Sequence, residues 1–509
     1  MSLYSQLHMA LWKLVLHHGK PNRRSSIENL LKHVSVRHAH FDPADPHFAY
    51  PRLTKAQVTK ILQGNERVMK INHEAISRFE SSRLAANTPI EDRNSEGYCN
   101  ATDGYLFGIF DGHAGVANAQ AVSERIFNYI AINLLNASEI KQFYHSMEDS
   151  NNELKLVNFL THNATYFNSE NRDLYRDAIL NYTKDAISSI SDWDSNFTME
   201  KALQSAFLRL DKDLEDEAFR PADGKLNTQL LTIALSGCCA LIAHIDGPHL
   251  HVANLGDCGA VLGTRNEDGT WQAKSLANAH HVDNEAEKSR LREAHLNETG
   301  SLMKDGRLLG VIEPTRTFGD FRLKLPAKLL KDTEAAVRSL RLHEEEVGPF
   351  PSYYMPPKNY YTPPYLIAKP EVLYHHLRPK DKFLVLATDG LWNMFKDRED
   401  RVIQLVADHM DGAQTIEDFE LPKDRSMQLK ELNERLKIRK QNIAKRAEDL
   451  NCATHLIRNA LGGTPDQGLS HLQLSAMLSH PNPRLYRDDI TVTVIYFDEE
   501  YLTGNLSIT

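Results

Sequence analysis

Cysteine is scarce in this 509-residue chain: Cys99, Cys238, Cys239, Cys258 and Cys452 are the full set. Their irregular spacing makes neither a disulfide framework nor a paired C-x2-C zinc knuckle, which leaves small buried thiols in a reducing compartment. No run of about 18 apolar residues occurs, so hydropathy offers no membrane-spanning helix, and the mean hydropathy is −0.46. Positive charge is outnumbered, with 59 Lys and Arg against 68 Asp and Glu for a net −9. That sign disfavours a general nucleic-acid or membrane-surface binder, which meets phosphate with surplus Lys and Arg. No internal repeat of about 20 to 50 residues appears, which sets aside solenoids and propellers. What remains is ordinary globular material, 41% hydrophobic and 25% charged, apolar enough to bury a large core.

Charge is unevenly spread. The first 41 residues hold six Lys or Arg, six His, five Ser and the single acid Glu28, with Leu7, Leu11, Leu14 and Val15 at helical spacing. A basic, acid-poor amphipathic helix is the pattern of a mitochondrial presequence, expected over residues 1–45.

From about residue 50 to 500 the composition is that of a folded domain. Thr54 caps an expected helix over Leu53 to Asn72, with Val58, Ile61 and Leu62 as its apolar stripe. Short apolar runs predict strands at Tyr105–Phe110, Cys239–Ile245, His249–Leu255, Phe383–Ala387 and Ile490–Phe497. Helical patterns cover Ala114–Leu135, Met199–Ala218, Glu285–His295 and Arg401–His409. Strands and helices mixed without strict alternation predict an α+β or layered α/β domain. Two stretches read as insertions. One, at about 324–370, ends in the Pro- and Tyr-rich PFPSYYMPPKNYYTPPY, and the other, at about 413–450, is a charged helical run.

The chemistry lies in acids at strand ends. Tyr105–Phe110 runs into Asp111-Gly112-His113, Phe383–Thr388 into Asp389-Gly390, and His251–Leu255 into Gly256-Asp257, while Asp488-Asp489 opens the strand at Ile490. A lone Asp-Gly is usually a turn. Several that converge on one sheet edge form a hard oxygen cluster suited to magnesium or manganese. A glycine beside such a ligand lets its carbonyl approach the cation.

In order along the chain, the blocks are Pro89-Ile90-Glu91-Asp92, Phe110-Asp111-Gly112-His113-Ala114-Gly115, Val252 to Asp257, Arg316-Thr317-Phe318-Gly319-Asp320, Ala387 to Trp392 and Asp488 to Val492. Over about residues 87 to 497 this set resembles the metal-dependent protein serine/threonine phosphatases of type 2C. The helix after DGHAG, Arg307-Leu308-Leu309-Gly310, NYYTPPYLIAKPEV, Ala453 to Arg458 and Tyr486 to Ile490 look like one branch of that family, the pyruvate dehydrogenase phosphatase catalytic subunits.

The resemblance implies a central β-sandwich of two antiparallel sheets flanked by helices, with a two-metal site at one end. It implies that Asp111 bridges two magnesium or manganese ions and that Gly112 offers its carbonyl. Asp389 and Asp488 complete one metal, Glu91 or Asp92 the second, and Asp257 with Asp389 a weaker third. A metal-bridging hydroxide would attack phosphorus directly. His113 would protonate the leaving serine or threonine oxygen, its other reading being a hydrogen bond to a metal ligand. The branch further implies phosphoserine on the pyruvate dehydrogenase α subunit as substrate, in the mitochondrial matrix. Docking would be on the lipoyl domain of the acetyltransferase, with calcium at that contact and a regulatory subunit.

Three positions depart from the family pattern. Asn87 stands where an arginine commonly grips phosphate, which leaves the metals, Asn87 itself or Arg93 for that role. Gly256-Asp257-Cys258-Gly259 replaces Gly-Asp-Ser-Arg. Asp489 replaces an Asn, so Asp488 and Asp489 both stay open as ligands. The rival readings are a type 2C phosphatase for other phosphoproteins and a non-catalytic scaffold. A scaffold has no need of a clustered like-charge site that costs stability.

Overall fold

The computed structural model describes residues 52–148, 154–161, 169–188, 197–221, 224–298, 300, 302–341, 355–396, 398–414, 433, 447–462 and 471–505. The expected presequence and most of the second insertion lie outside them.

The helix expected from Leu53 to Asn72 covers only Lys55–Leu62. Thr54 caps it as expected, its Oγ1 accepting from Gln57 N while the Gln57 side chain accepts from Thr54 N. A single 3-10 turn follows, and Arg67–His73 is a strand. Gly64 and Asn65 are weak helix formers. Pairing with Ile76–Leu84 then satisfies the backbone beyond them and overrides the helical pattern.

Six strands form the first sheet, in the spatial order Arg67–His73, Ile76–Leu84, Ile490–Phe497, Asp381–Ala387, Gly259–Arg265, Trp271–Ser275. The second runs Glu371–His376, His249–Leu255, Gly237–Asp246, Gly104–His113, Arg93–Cys99, Val157–Phe159, with short Phe318–Gly319 beside Gly237–Asp246. Every pairing within the two sheets is antiparallel.

The sheets pack face to face through Phe79, Phe107, Ile109, Leu241, Val252, Leu384 and Ile495. Strand periodicity explains the unbroken apolar run at Phe383–Ala387. Leu384 and Leu386 point into the sandwich, and Phe383, Val385 and Ala387 point outward under the helices Glu399–Gln414 and Cys452–Ala460. Such a strand is buried on both faces and shows no polar alternation. Helices Ala117–Leu134, Met199–Phe219 and Thr228–Leu235 cover the second sheet in the same way. The expected α+β sandwich flanked by helices is the observed architecture.

The long helix after the DGHAG block begins at Ala117 rather than Ala114, because Ala114 (φ 58°) and Gly115 (φ 118°) are left-handed. The first insertion opens with a helix, Ala327–Arg341. Its Pro- and Tyr-rich end then closes a small separate core, in which Tyr365 and Leu366 pack on Val282, Leu291, Leu302 and Leu308. The Tyr365 hydroxyl donates to Glu298 at 2.5 Å and accepts from the Tyr361 and Thr362 amides. All five cysteines are buried and free.

Candidate active site

The six expected acids come from, or lie beside, the ends of strands on both sheets. Asp111, Gly112 and His113 are the last residues of Gly104–His113, where Asp111 faces Cys239 and His113 faces Gly237 across the sheet. Asp257 follows His249–Leu255, and Asp389 follows Asp381–Ala387. Asp488 precedes Ile490–Phe497. Glu91 and Asp92 sit just before the strand Arg93–Cys99.

The carboxylates repel one another. Asp111 is pushed well above the usual carboxylate range, first by burial and then by Asp389, Asp92 and Asp257. Asp92 is raised to about 8 by burial and by Asp489, and Asp257 to about 7 by burial and by Asp389. Glu91 is also raised, chiefly by burial. After burial, Asp389 is the largest single influence on Asp111. Asp389 Oδ2 accepts from Asn393, but its buried Oδ1 has no donor.

Among the described residues no three Cys, His, Asp or Glu side chains already stand at coordination spacing. The donors nevertheless suit a hard divalent cation: they are all oxygen, they destabilise one another, and one buried oxygen lacks a partner. Gly112 fits the same purpose, since a Cβ there would run into the Glu91 carbonyl and lie 3.0 Å from Ala119 Cβ.

The two adjacent acids left open by the sequence play different parts. Asp489 is buried and accepts from the amides of Ala86 (2.5 Å), Asn87 (2.8 Å) and Glu91 (2.7 Å) and from the Asn87 side chain (3.2 Å). Its oxygens are consumed in clamping the 86–91 loop. Asp488 is half-buried, accepts from Asp489 N at 2.7 Å and contacts Arg484. Asp92 likewise faces inward, accepting from the Thr388 and Thr491 hydroxyls at 3.0 and 2.7 Å, which ties its loop to the first sheet.

Neither residue expected to bind phosphate projects freely. The Asn87 amide is used by Asp489. Arg93 is buried, with Nη1 on the carbonyls of Ile90 and Asp92 and Nε on Gln120. It braces the loop from behind.

Sequence reasoning missed the partner of His113. Asp320 is fully buried, and its Oδ2 lies 2.6 Å from His113 Nε2 and accepts from Thr317 Oγ1 at 3.0 Å. Burial alone lowers the His113 pKa, but the Asp320 charge and hydrogen bond outweigh it and the net shift is upward. Burial raises Asp320, and His113 outweighs that, so the acid ends below its ordinary range. Gly237 makes room for the pair, since a Cβ there would collide with both side chains. Asp320 (φ 50°) lies in a left-handed turn after Gly319 (φ 68°), and its Gly-Asp pattern is that of a common turn, which hid its role.

The protein phosphatase 2C model matches residues 134–436, a span that contains Asp257, Asp320 and Asp389. The chain belongs to the protein phosphatase 2C family. This chain is 41% identical over 456 residues to mitochondrial pyruvate dehydrogenase (acetyl-transferring) phosphatase 1 of Bos taurus, covering 88% of this chain and 83% of that one. With the human mitochondrial phosphatase 2 of the same name it shares 37% over 476 residues, 92% of this chain and 87% of the relative. A protein phosphatase 2C homolog of Schizosaccharomyces pombe is 30% identical over 87% of this chain and 86% of its own. Phosphatases of this family are metal-dependent, in keeping with the oxygen-donor cluster around Asp111.

Proposed function

We propose that this chain is a mitochondrial matrix phosphatase that removes phosphate from phosphoserine on the pyruvate dehydrogenase α subunit and so reactivates that enzyme. The observation that carries the reading is the 41% identity, across 88% of the chain, to a protein named for that activity. Residues 50–500 would be the phosphatase domain, with 1–45 as a removable presequence, in line with the word mitochondrial in the relatives' names. Docking on the acetyltransferase lipoyl domain, promoted by calcium, and pairing with a regulatory subunit belong to the same proposal.

Asp111, Asp389, Asp488 and the Gly112 carbonyl would hold one divalent cation, magnesium or manganese. Asp111 with Glu91 or Asp92 would hold a second, and Asp257 with Asp389 a weaker third. When bound, such ions neutralise the crowded acids, orient phosphoryl oxygens and supply a nucleophilic water at neutral pH. Water adds to phosphorus as the bond to the serine oxygen breaks. His113, kept protonated by Asp320, passes its proton to that departing oxygen as general acid. Asp489 holds the 86–91 loop, and with it Glu91, at the rim of the site. Arg93 buttresses the same loop through the Ile90 and Asp92 carbonyls.

The test is phosphate release from phosphorylated pyruvate dehydrogenase with magnesium, against an unrelated phosphoprotein, with and without lipoyl domain and calcium. Equal rates on both substrates under all conditions reject the substrate assignment. A reporter fused to residues 1–50 that stays in the cytosol rejects the matrix location.

A further inference from the structure

A cationic side chain would add to the hold that cations have on a phosphate dianion, but Asn87 is uncharged and engaged by Asp489, and Arg93 is buried and committed. Arg484 is differently placed. It sits in the 3-10 turn Pro483–Leu485, four residues before Asp488, and its side chain is 47% exposed. Among the described residues, its guanidinium meets protein only at Asp488 Oδ1. That contact places the guanidinium beside one of the acids expected to hold a cation. The neighbouring Arg487, by contrast, is buried and committed to the carbonyls of Ala85 and Asp488.

We propose that Arg484 is the phosphate-gripping residue of this enzyme, reaching from the turn before Asp488 to pair its guanidinium with two phosphoryl oxygens. A planar fork of donors matches that geometry, and a guanidinium stays charged throughout the working pH range. Asp488 holds the side chain at the rim until phosphate arrives. The proposal rests on the phosphatase reading above and assigns a substrate contact that position 87 does not provide.

The experiment measures inorganic phosphate binding by calorimetry on the full chain in saturating magnesium, together with KM and kcat on a phosphoserine peptide. Arg484→Gln is expected to weaken phosphate binding and raise KM by about tenfold each, with kcat changed by less than about threefold. Arg484→Met, which keeps the apolar stem, should do the same. Adding Asn87→Arg to Arg484→Gln should restore phosphate affinity by supplying a guanidinium from the 86–91 loop. Phosphate affinity within about twofold of the parent in either single variant overturns the proposal. So does a variant whose only change is its magnesium midpoint, since Arg484 would then be a partner of Asp488 alone. A parent chain with no magnesium-dependent phosphatase activity sinks the underlying reading instead.

Discussion

His113 Nε2 and Asp320 Oδ2 meet at 2.6 Å although 207 residues separate them in sequence. The acid is fully buried, while the imidazole remains partly open toward the site. On the proposed reading, the pair is a proton donor held by a fixed anion.

Asp320→Asn removes the anion and keeps the shape. Because general-acid help matters most for a poor leaving group, kcat on a phosphoserine peptide should fall by about 100-fold. Hydrolysis of p-nitrophenyl phosphate, whose leaving group needs no proton, should fall by less than about fivefold. Equal losses on the two substrates would show that Asp320 only supports the fold.

Asp111→Asn relieves a buried charge that its neighbours destabilise. The metal-free variant should melt a few degrees above the parent, since about 1 kcal/mol moves Tm by a few degrees in a domain of this kind. Magnesium should no longer raise Tm, and phosphatase activity should be abolished. Scanning calorimetry with and without magnesium reads both effects. A variant that melts below the parent without metal would contradict the repulsion.

Acid sensitivity has a source remote from the carboxylates, whose raised pKa values act in the opposite sense. His244 is fully buried, and its pKa is pushed down to about 3 by burial and by His251. Below the ordinary value of 6.5 the unfolded chain binds the proton and the folded chain does not. Stability is therefore lost as pH falls from about 6.5 toward 3, by about 2 kcal/mol at pH 5 from this residue. His244→Gln should flatten the denaturation midpoint between pH 7 and pH 5 by a corresponding amount. An unchanged slope refutes the assignment.

Tyr365→Phe strips the hydroxyl that collects two amides and Glu298. Leaving those groups unpaired costs about 1 to 3 kcal/mol. The loss should appear as faster hydrogen exchange at Tyr361 to Leu366 and around Leu302 to Leu308, with the sandwich strands unaffected. Uniform acceleration across the chain would mean that the small core is not a unit of its own.

How much of this was legible in the sequence follows from which interactions are local. Strand ends could be read because apolar runs stop at Asp-Gly, and Asp257 and Asp389 at two of those stops raise the Asp111 carboxyl at a third. The Thr54 cap was equally local. The helix expected to run on to Asn72 was not, since pairing between Arg67–His73 and Ile76–Leu84 decides that segment. Asp320, Thr388 and Thr491 act through partners hundreds of residues away, and only the folded sheet edge brings them to His113 and Asp92. The division of labour between Asp488 and Asp489 needed the 86–91 loop in place.

The middle of the first sheet joins the two ends of the described chain, with Ile490–Phe497 lying between Ile76–Leu84 and Asp381–Ala387. During synthesis this sheet stays split until residue 497 has left the ribosome, with two long apolar edges waiting for their shared neighbour. A premature stop before Asp488 would thus do more than remove that acid. It would leave open strand edges that recruit other chains, and such a truncation should collect in aggregates as well as lose activity.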